Sequence, residues 1–544
     1  MIDTNLFESH LLSLILLTPL VGVAVLLAIG RSREGAIRWL ATLFAGLDFL
    51  VSVPLWFRYD PQASPWQFTE RATWIPSMGA SYFLGVDGYS SLMVLMTTLL
   101  GFIAVLSSWT AVTERVKEYY VCLLVLQSGM LGAFLALDGL LFFLFWEAML
   151  VPMYLLIGIR GGGRRSSSAI KFFLYTLVGS VGLLIGILGI YFCAHEATGV
   201  YSFDITGFHQ LTLPLARQKW IFLALLAGFA IQIPMFPLHT WLPHAHADAP
   251  TAGSVVLAAV LLKMGTYGFV RFSLPILPEA SRAFIPVVAG LSIVAIVYGA
   301  LLALAQTDWK RLIAYSSISQ MGMITLGLFA IAPAALSGSL LQQISHGIST
   351  GALFLIVGLA FERRQTREIA AFGGLSSVMP VFAVLFLVMT LSSIGLPGLN
   401  GFVGERLILQ GVFVTHRWWA AAAASGMVLG AAYMLWLYQR TMFGGIREPA
   451  NAALLDLTAR ELLTLVPLAA LALWIGLSPA PFLARLEPTM ARVITRLDPG
   501  YAPAFAKVPG CGAPGSTASA PSAPPGFTAM APCDDPSRPA GTGR

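Results

Sequence analysis

Four residues of types that take up and release protons lie inside otherwise apolar stretches: Glu147, Lys263, His346 and Glu405. Glu147 sits in Leu140-Leu-Phe-Phe-Leu-Phe-Trp-Glu-Ala-Met-Leu-Val-Pro-Met-Tyr, far from either end of that run. Lys263 follows Val255-Val-Leu-Ala-Ala-Val-Leu-Leu, His346 lies in Gln342-Gln-Ile-Ser-His-Gly-Ile-Ser, and Glu405 follows Gly395-Leu-Pro-Gly-Leu-Asn-Gly-Phe-Val-Gly. A charge at the centre of a lipid-facing helix costs at least about 2.5–3.5 kcal/mol, so each of these must face protein or water. Carboxyls, an amine and an imidazole held in a dry interior are the parts of a proton relay. A bland alternative stands beside this one. Glu147 and Lys263 could form a structural ion pair between helices, and His346 could be a packed residue beside Ser345 and Ser349, whose hydroxyls could carry water.

The elements that must hold these groups are membrane helices. Of 544 residues, 57% are hydrophobic and 11% charged, against about 25% charged in soluble domains; mean hydropathy is +0.79. Stretches of about 20 apolar residues, enough to cross roughly 30 Å of hydrocarbon, recur from Leu11 almost to Ala484. They predict an all-α integral membrane protein of about 14 spans: 11–29, 37–57, 86–109, 118–137, 139–159, 168–193, 218–243, 251–272, 284–305, 311–331, 336–361, 378–413, 420–441 and 462–483. Asp3 and Glu8 precede the first where a signal peptide carries basic residues, so it reads as a retained helix. The net charge of +6 comes from short loops: Arg31, Arg33 and Arg38 after span 1, Arg160, Arg164, Arg165 and Lys171 after span 5, Lys310 and Arg311 after span 9, and Arg363, Arg364 and Arg367 after span 11. If every span crosses once, these loops share one side, which is then cytoplasmic, with both termini periplasmic. A nucleic-acid partner is not needed to explain the charge.

Two spans are interrupted: span 7 by Pro234, Pro237 and Pro243, and span 12 by the Gly/Pro-rich segment before Glu405. Broken helices five spans apart are what repeated transporter halves leave in a sequence, and irregular backbone at membrane depth lines a cavity. The implied divisions are residues 1–115 (spans 1–3), 116–275 (first repeat, spans 4–8), 276–445 (second repeat, inverted or parallel, spans 9–13), 446–498 (helix 14) and 499–544, a Pro/Ala/Gly/Ser-rich tail expected to be disordered. Several further residues bear on the relay. Asp138 either caps span 5 or serves it. His239, His244, His246 and Asp248 cluster, but Pro243 interrupts the helix spacing and no cysteine joins them, which argues against a metal site; the three histidines suit an aqueous mouth at the cytoplasmic end of span 7. Arg406 could hold Glu405 charged or face an interface. Gly182 and Gly186 have the spacing of close helix packing. Gly161, Gly162 and Gly163 lack the Lys-Ser/Thr ending of a phosphate loop and read as a turn. Cys122 and Cys193 lie in or beside apolar helices, while Cys511 and Cys533, in the tail, can pair or stay free.

Asp138 through Gly158, Trp241-Leu-Pro-His-Ala-His with Ala249-Pro-Thr-Ala-Gly-Ser, and Asp308-Trp-Lys-Arg-Leu-Ile-Ala-Tyr-Ser-Ser resemble the antiporter-like membrane subunits of NADH:quinone oxidoreductase (respiratory complex I) over roughly residues 80–445. The segments around Glu147 and Glu405 point to its subunit M branch. The resemblance implies two inverted five-helix repeats joined along a polar axis, and a proton-translocating role coupled to electron transfer from NADH to quinone in other subunits. It carries the family's proton-transferring positions to Glu147, Lys263, His346 and Glu405. Two positions depart from the pattern: Gln232 stands where the family has a lysine, and Gln320 where it usually has a histidine. An amide orients water but does not titrate. NADH, FMN, iron–sulfur clusters and quinone are then expected in partner subunits, and no cofactor or metal in this chain, which has neither a dinucleotide fingerprint nor a cysteine cluster. Its partners are other complex I membrane subunits, above all neighbouring antiporter-like ones, and the bilayer, here a bacterial inner membrane. The competing expectations are a subunit of a multi-component cation/proton antiporter, and a structural complex I subunit with an impaired relay.

Overall fold

The computed structural model describes residues 9–160 and 165–501; the Gly161–Gly163 turn and the tail with Cys511 and Cys533 lie outside the described residues. The helices are α1 (Leu11–Ala28), α2 (Glu34–Ser52), α3 (Gly88–Ala111), α4 (Val116–Leu135), α5 (Gly139–Ala148), α6 (Leu150–Arg160), α7 (Arg165–Thr198), α8 (Leu215–Gln232) and α9 (Trp241–Asp248). They continue as α10 (Thr251–Ile276), α11 (Ile285–Leu304), α12 (Trp309–Phe329), α13 (Pro333–Arg364), α14 (Pro380–Ser393), α15 (Asn400–Thr415), α16 (Arg417–Met442), α17 (Ala459–Leu477) and α18 (Ala480–Leu497).

Among the described residues twelve helices are long and apolar enough to cross a membrane. The chain is a multi-span integral membrane protein. The expected spans absent from the twelve are the two interrupted ones, now resolved as α8 with α9 and α14 with α15. At the first break the Trp241 indole donates to the Ile231 carbonyl at 3.0 Å. At the second, Asn400 donates to the Ser345 carbonyl at 3.0 Å and its own side-chain oxygen accepts from Ser392 at 2.5 Å. These bonds take up polar groups at each break inside protein, as the absence of water in hydrocarbon demands.

Sequence dictates the helix ends through caps. Asp87 and Ser90 form a reciprocal capping box at α3, Asp308 caps α12, and Thr458 with Glu461 caps α17. Asp138, open between two readings, is the cap of α5: its carboxylate accepts from the backbone of Leu140, Leu141 and Ser81. The Gly182 stripe packs α7 onto α8 so closely that a Cβ there would stand 2.9 Å from the Ala224 carbonyl.

Two helices, α10 and α13, are surrounded by the others along almost their whole length. A helix apolar on every side belongs in the middle of a bundle, and these two carry Lys263 and His346.

Three features depart from the expected layout. The last span ends at Leu477 rather than near 483, and Pro479 opens the separate helix α18. Its buried residues Phe482, Leu486, Met490, Val493 and Leu497 follow helical spacing, so it is amphipathic; it packs on the ends of α3, α10 and α13. An antiparallel hairpin, β1 (Gln67–Ile75) and β2 (Ala80–Val86), fills the loop before α3. Glu70 on β1 accepts from the backbone of Leu12 at 2.7 Å and so ties the hairpin to the start of α1.

Candidate functional site

Lys263 is wholly buried on α10 between two π-helical segments, Leu257–Leu261 and Phe269–Ser273. Its Nζ lies 2.6 Å from Nδ1 of His346 and donates to the Ala258 carbonyl at 2.5 Å. The imidazole's other nitrogen, Nε2, is buried without a partner. An amine and an imidazole in contact can share one proton. Charging both would set two cations against each other, worth roughly 4 kcal/mol at 4 Å and an effective dielectric of 20. Lys263 therefore does not pair with Glu147: the structural ion pair is replaced by a lysine–histidine pair.

A second centre surrounds Glu405, buried at the start of α15. Gln320 donates to its Oε1 at 2.8 Å and Gln342 at 3.5 Å, and Gln342 also donates to Gln320 Oε1 at 3.3 Å. Oε2 has no hydrogen-bond partner and lies against Gly395, whose φ of +74° and missing Cβ let the broken backbone approach it. Gln342 and His346 are one helical turn apart on α13, so that helix carries one residue to each centre. Arg406 is exposed, because successive helical residues point about 100° apart; it faces away from the carboxylate and fits the interface alternative.

Glu147 is half-buried, with an Oε1 that has no hydrogen-bond partner. Its neighbours Trp146 and Leu150 line a cavity of about 20 Å³ with Thr176, Ser180, Gln232 and Leu261, room for about one water. Gln232 donates to the Leu261 carbonyl at 3.0 Å, two residues before Lys263. The structure thus places Gln232 against the lysine's own helix.

At the end of the bundle holding the α9–α10 junction lies an open cavity of about 620 Å³, lined among others by Thr110, Asp248, Lys310, Glu362 and Arg367. Lys310 donates to the Ala249 carbonyl at 2.6 Å, and Ser168 to Asp248 at 2.5 Å. None of the three histidines expected to line a mouth is among this cavity's lining residues; Asp248 is. His239 packs with Phe236 and Tyr298, and His246 is buried, stacked on Phe354 of α13 at 4.5 Å. Among the described residues no three His, Cys, Asp or Glu side chains stand close enough to hold a metal. Cys122 and Cys193 are free.

Ser345 and Ser349 are engaged by Asn400 and Ser392. The sequence reading missed Gln342 and Lys310 as members of these clusters, and Asp48, a buried acid of α2 that accepts from Gln127 at 2.5 Å. Asp48 had a legible signal, a carboxylate inside an apolar run; Gln342 had only its place one turn before His346.

Residues 136–431 match the family described as NADH:quinone oxidoreductase/Mrp antiporter, TM. The chain belongs to that family. NADH-quinone oxidoreductase subunit M of Rhodobacter capsulatus is 46% identical over 499 residues, 89% of this chain and 96% of that one. NADH-ubiquinone oxidoreductase chain 4 of Chondrus crispus is 42% identical over 86% of this chain and 94% of its own length. Among solved structures, a chain of respiratory complex I from Thermus thermophilus with bound NADH superposes with a TM-score of 0.82 at 32% identity, covering 89% of this chain and 99% of that chain. A chain of the Mrp complex from Dietzia sp. DQ12-45-1b shares the fold, with a TM-score of 0.77 at 22% identity over 91% and 98% of the two chains. The likeness to family members therefore extends well beyond the matched segment to nearly the whole length of each relative.

Proposed function

We propose that this chain is a subunit M-type proton-translocating membrane subunit of an NADH:quinone oxidoreductase. The observation that carries the reading is the buried Lys263–His346 pair, joined along α13 to the Glu405–Gln320–Gln342 cluster. Protons enter from the cavity at Asp248 and Lys310, reach the Lys263–His346 pair, and pass toward Glu405. Glu147 supplies a carboxyl whose neighbours Trp146 and Leu150 line the water-sized space beside Gln232. The chain contributes to the enzyme as a subunit. The redox centres, NADH, FMN, iron–sulfur clusters and quinone, belong to partner subunits, and a neighbouring antiporter-like subunit is the expected contact. The membrane is the bacterial plasma membrane, with the Asp248 mouth cytoplasmic and both termini periplasmic, and the inverted repeats run 116–275 and 276–445. The high identity to complex I subunits favours this over a cation/proton antiporter, whose solved relative is only 22% identical.

The test is NADH-driven proton uptake measured beside quinone reduction in the purified, reconstituted complex. Glu147→Gln is expected to cut uptake by about a hundredfold, the lower side of what a positioned proton-transfer group contributes, with subunit content unchanged. Uptake and turnover equal to wild type would instead mark the subunit as a scaffold, the reading that Gln232 and Gln320 favour.

A further inference from the structure

Beside the Asp248 cavity, and sharing Thr110 with it, lies a second polar cavity of about 400 Å³ at the same end of the bundle. Arg38 and Trp39 line it from the first turns of α2, Trp109 and Thr110 from the end of α3, and Thr458 and Arg460 from the start of α17. Trp39 is exposed and meets Trp109 edge to face at 4.7 Å, and the Trp109 indole donates to Thr42 at 2.8 Å. Arg38 donates to the Val112 carbonyl at 2.9 Å and to Glu34 at 3.1 Å. Arg460 donates to the Thr110 hydroxyl at 2.8 Å, which donates in turn to Glu362; its other terminal nitrogen, Nη1, is buried without a hydrogen-bond partner. Among the described residues that line this cavity none is acidic. Glu362 lines the Asp248 cavity instead, and Glu34 is a half-exposed partner one turn before Arg38. A surface pair of that kind is weak and leaves Arg38 able to meet a stronger acceptor.

The faces that carry these groups continue as apolar surface. Leu43 lies one turn beyond Trp39 on α2 and Leu463 one turn beyond Arg460 on α17, and both are exposed. Both helices pack on α3. About 15 Å further along α2, from Trp39 to Phe49, the same three helices line an apolar cavity of about 440 Å³ with Phe49, Leu99 and Leu471. That distance is half of the roughly 30 Å hydrocarbon core, the reach of an acyl chain within its own leaflet.

We propose that the Arg38–Arg460 cavity binds the phosphate of an anionic phospholipid from the leaflet at that end, whose acyl chain lies along α3 between α2 and α17. A guanidinium presents its N–H groups in a planar fork that matches phosphate oxygens, and two of them line one cavity here. Trp39 and Trp109 flank it as tryptophans do where hydrocarbon meets water. Basic pockets between membrane helices are built for anionic headgroups. A zwitterionic headgroup would bring an ammonium group beside two guanidinium groups, with no carboxylate in the lining to receive it.

The inference stands apart from the proton-relay reading, and its test needs no turnover. The purified complex is titrated in detergent with a phosphatidylglycerol that carries a diazirine in its acyl chain, illuminated, and digested. Adducts on the α2 and α17 peptides holding Leu43 and Leu463 are counted against labelling elsewhere in the complex. Unlabelled phosphatidylglycerol is expected to displace the probe, and phosphatidylcholine and inorganic phosphate to leave it in place. Arg38→Gln combined with Arg460→Gln is expected to raise the half-labelling concentration about thirtyfold, the effect of two basic residues at the surface. Thr458→Asp keeps a residue that caps helix α17 and adds a negative charge to the lining, so it weakens labelling without unfolding the helix. Wild-type half-labelling in either assembled variant overturns the proposal, and Thr458→Asp alone decides if the double variant does not assemble. Displacement by inorganic phosphate would mark a site for a free anion, and equal displacement by phosphatidylcholine a site blind to headgroup charge; either overturns it. So does a wild-type complex unlabelled on α2 and α17, where an acidic side chain of a neighbouring subunit would then fill the cavity.

Discussion

Lys263→Met is expected to reduce NADH-driven proton uptake by about a hundredfold, the lower side of the contribution of a positioned acid or base, while the complex still assembles. Methionine matches the length of the lysine stem and is tolerant of irregular apolar surroundings, so the helix packing around α10 survives. Two polar atoms lose their partner, the Ala258 carbonyl and His346 Nδ1, a cost of about 1–3 kcal/mol each that a bundle of this size can absorb. What disappears is the shared proton, since the histidine alone keeps no cation beside it. Uptake and quinone reduction are read on the same reconstituted sample, with subunit content as the control. Full uptake in an assembled Lys263→Met complex would remove this residue from the path.

Asp87→Ala carries the largest expected effect on stability. The carboxylate stands between two guanidinium groups, Arg271 and Arg492, and it is completely buried. Removing one partner of a buried ion pair costs about 3–5 kcal/mol because an uncompensated charge stays behind, and the lost cap of α3 adds about 1 kcal/mol. Thr489 and Arg492, which reach Asp87 from α18, lose their anchor with it. The expected result is a lower thermal midpoint for the detergent-solubilised complex, with α18 the first segment to become accessible to protease. Burial alone would raise the Asp87 carboxyl, but Arg271 and then Arg492 hold it well below the usual carboxylate range. A depressed folded-state value adds stability above the unfolded value of about 3.9 and surrenders it as pH falls below that. The gap between wild type and Asp87→Ala should therefore be constant near neutrality and narrow only below about pH 4. A variant with an unchanged midpoint at pH 7 would mean that the guanidinium groups find water or another acceptor.

The parts of the fold written as long apolar runs were readable in advance, because the hydrocarbon thickness sets a length that composition alone reveals. The two breaks were readable too, since Pro234 and Pro237 in one span and Gly395, Pro397 and Gly398 in the other leave the backbone little choice. Charged residues inside apolar runs pointed to Lys263, His346 and Glu405. Their partners did not show. Lys263 meets His346 across α10 and α13 because both helices sit in the centre of the bundle, a tertiary fact that places a lysine nearer a histidine than the glutamate that charge complementarity suggests. His239 and His246 read as lining water because histidines beside prolines suit a loop; the broken span instead folds them against Phe236 and Phe354. Helix α18 was hidden because its apolar residues occupy one face only, too sparse for a hydropathy window tuned to spans. Gln342 carries no charge, so nothing in its local sequence separates a packed amide from one that binds a carboxylate.

The two π segments of α10 set the phase of a helix whose ends are fixed by other contacts. Each π turn takes in one residue more than an α turn for nearly the same advance along the axis, so it rotates the next stretch of helix by about 100°. Lys263 occupies the short stretch between them, where the first offset has been applied and the second has not. Its direction is thus decoupled from that of the residues above and below, like a single hand on a dial turned independently of the shaft. Holding all of Leu257–Leu261 in regular α geometry would keep the hydropathy, the length needed to cross the membrane and every ionisable group, yet swing the amine off the imidazole. What distinguishes an active chain from a silent one is in that sense angular as well as chemical.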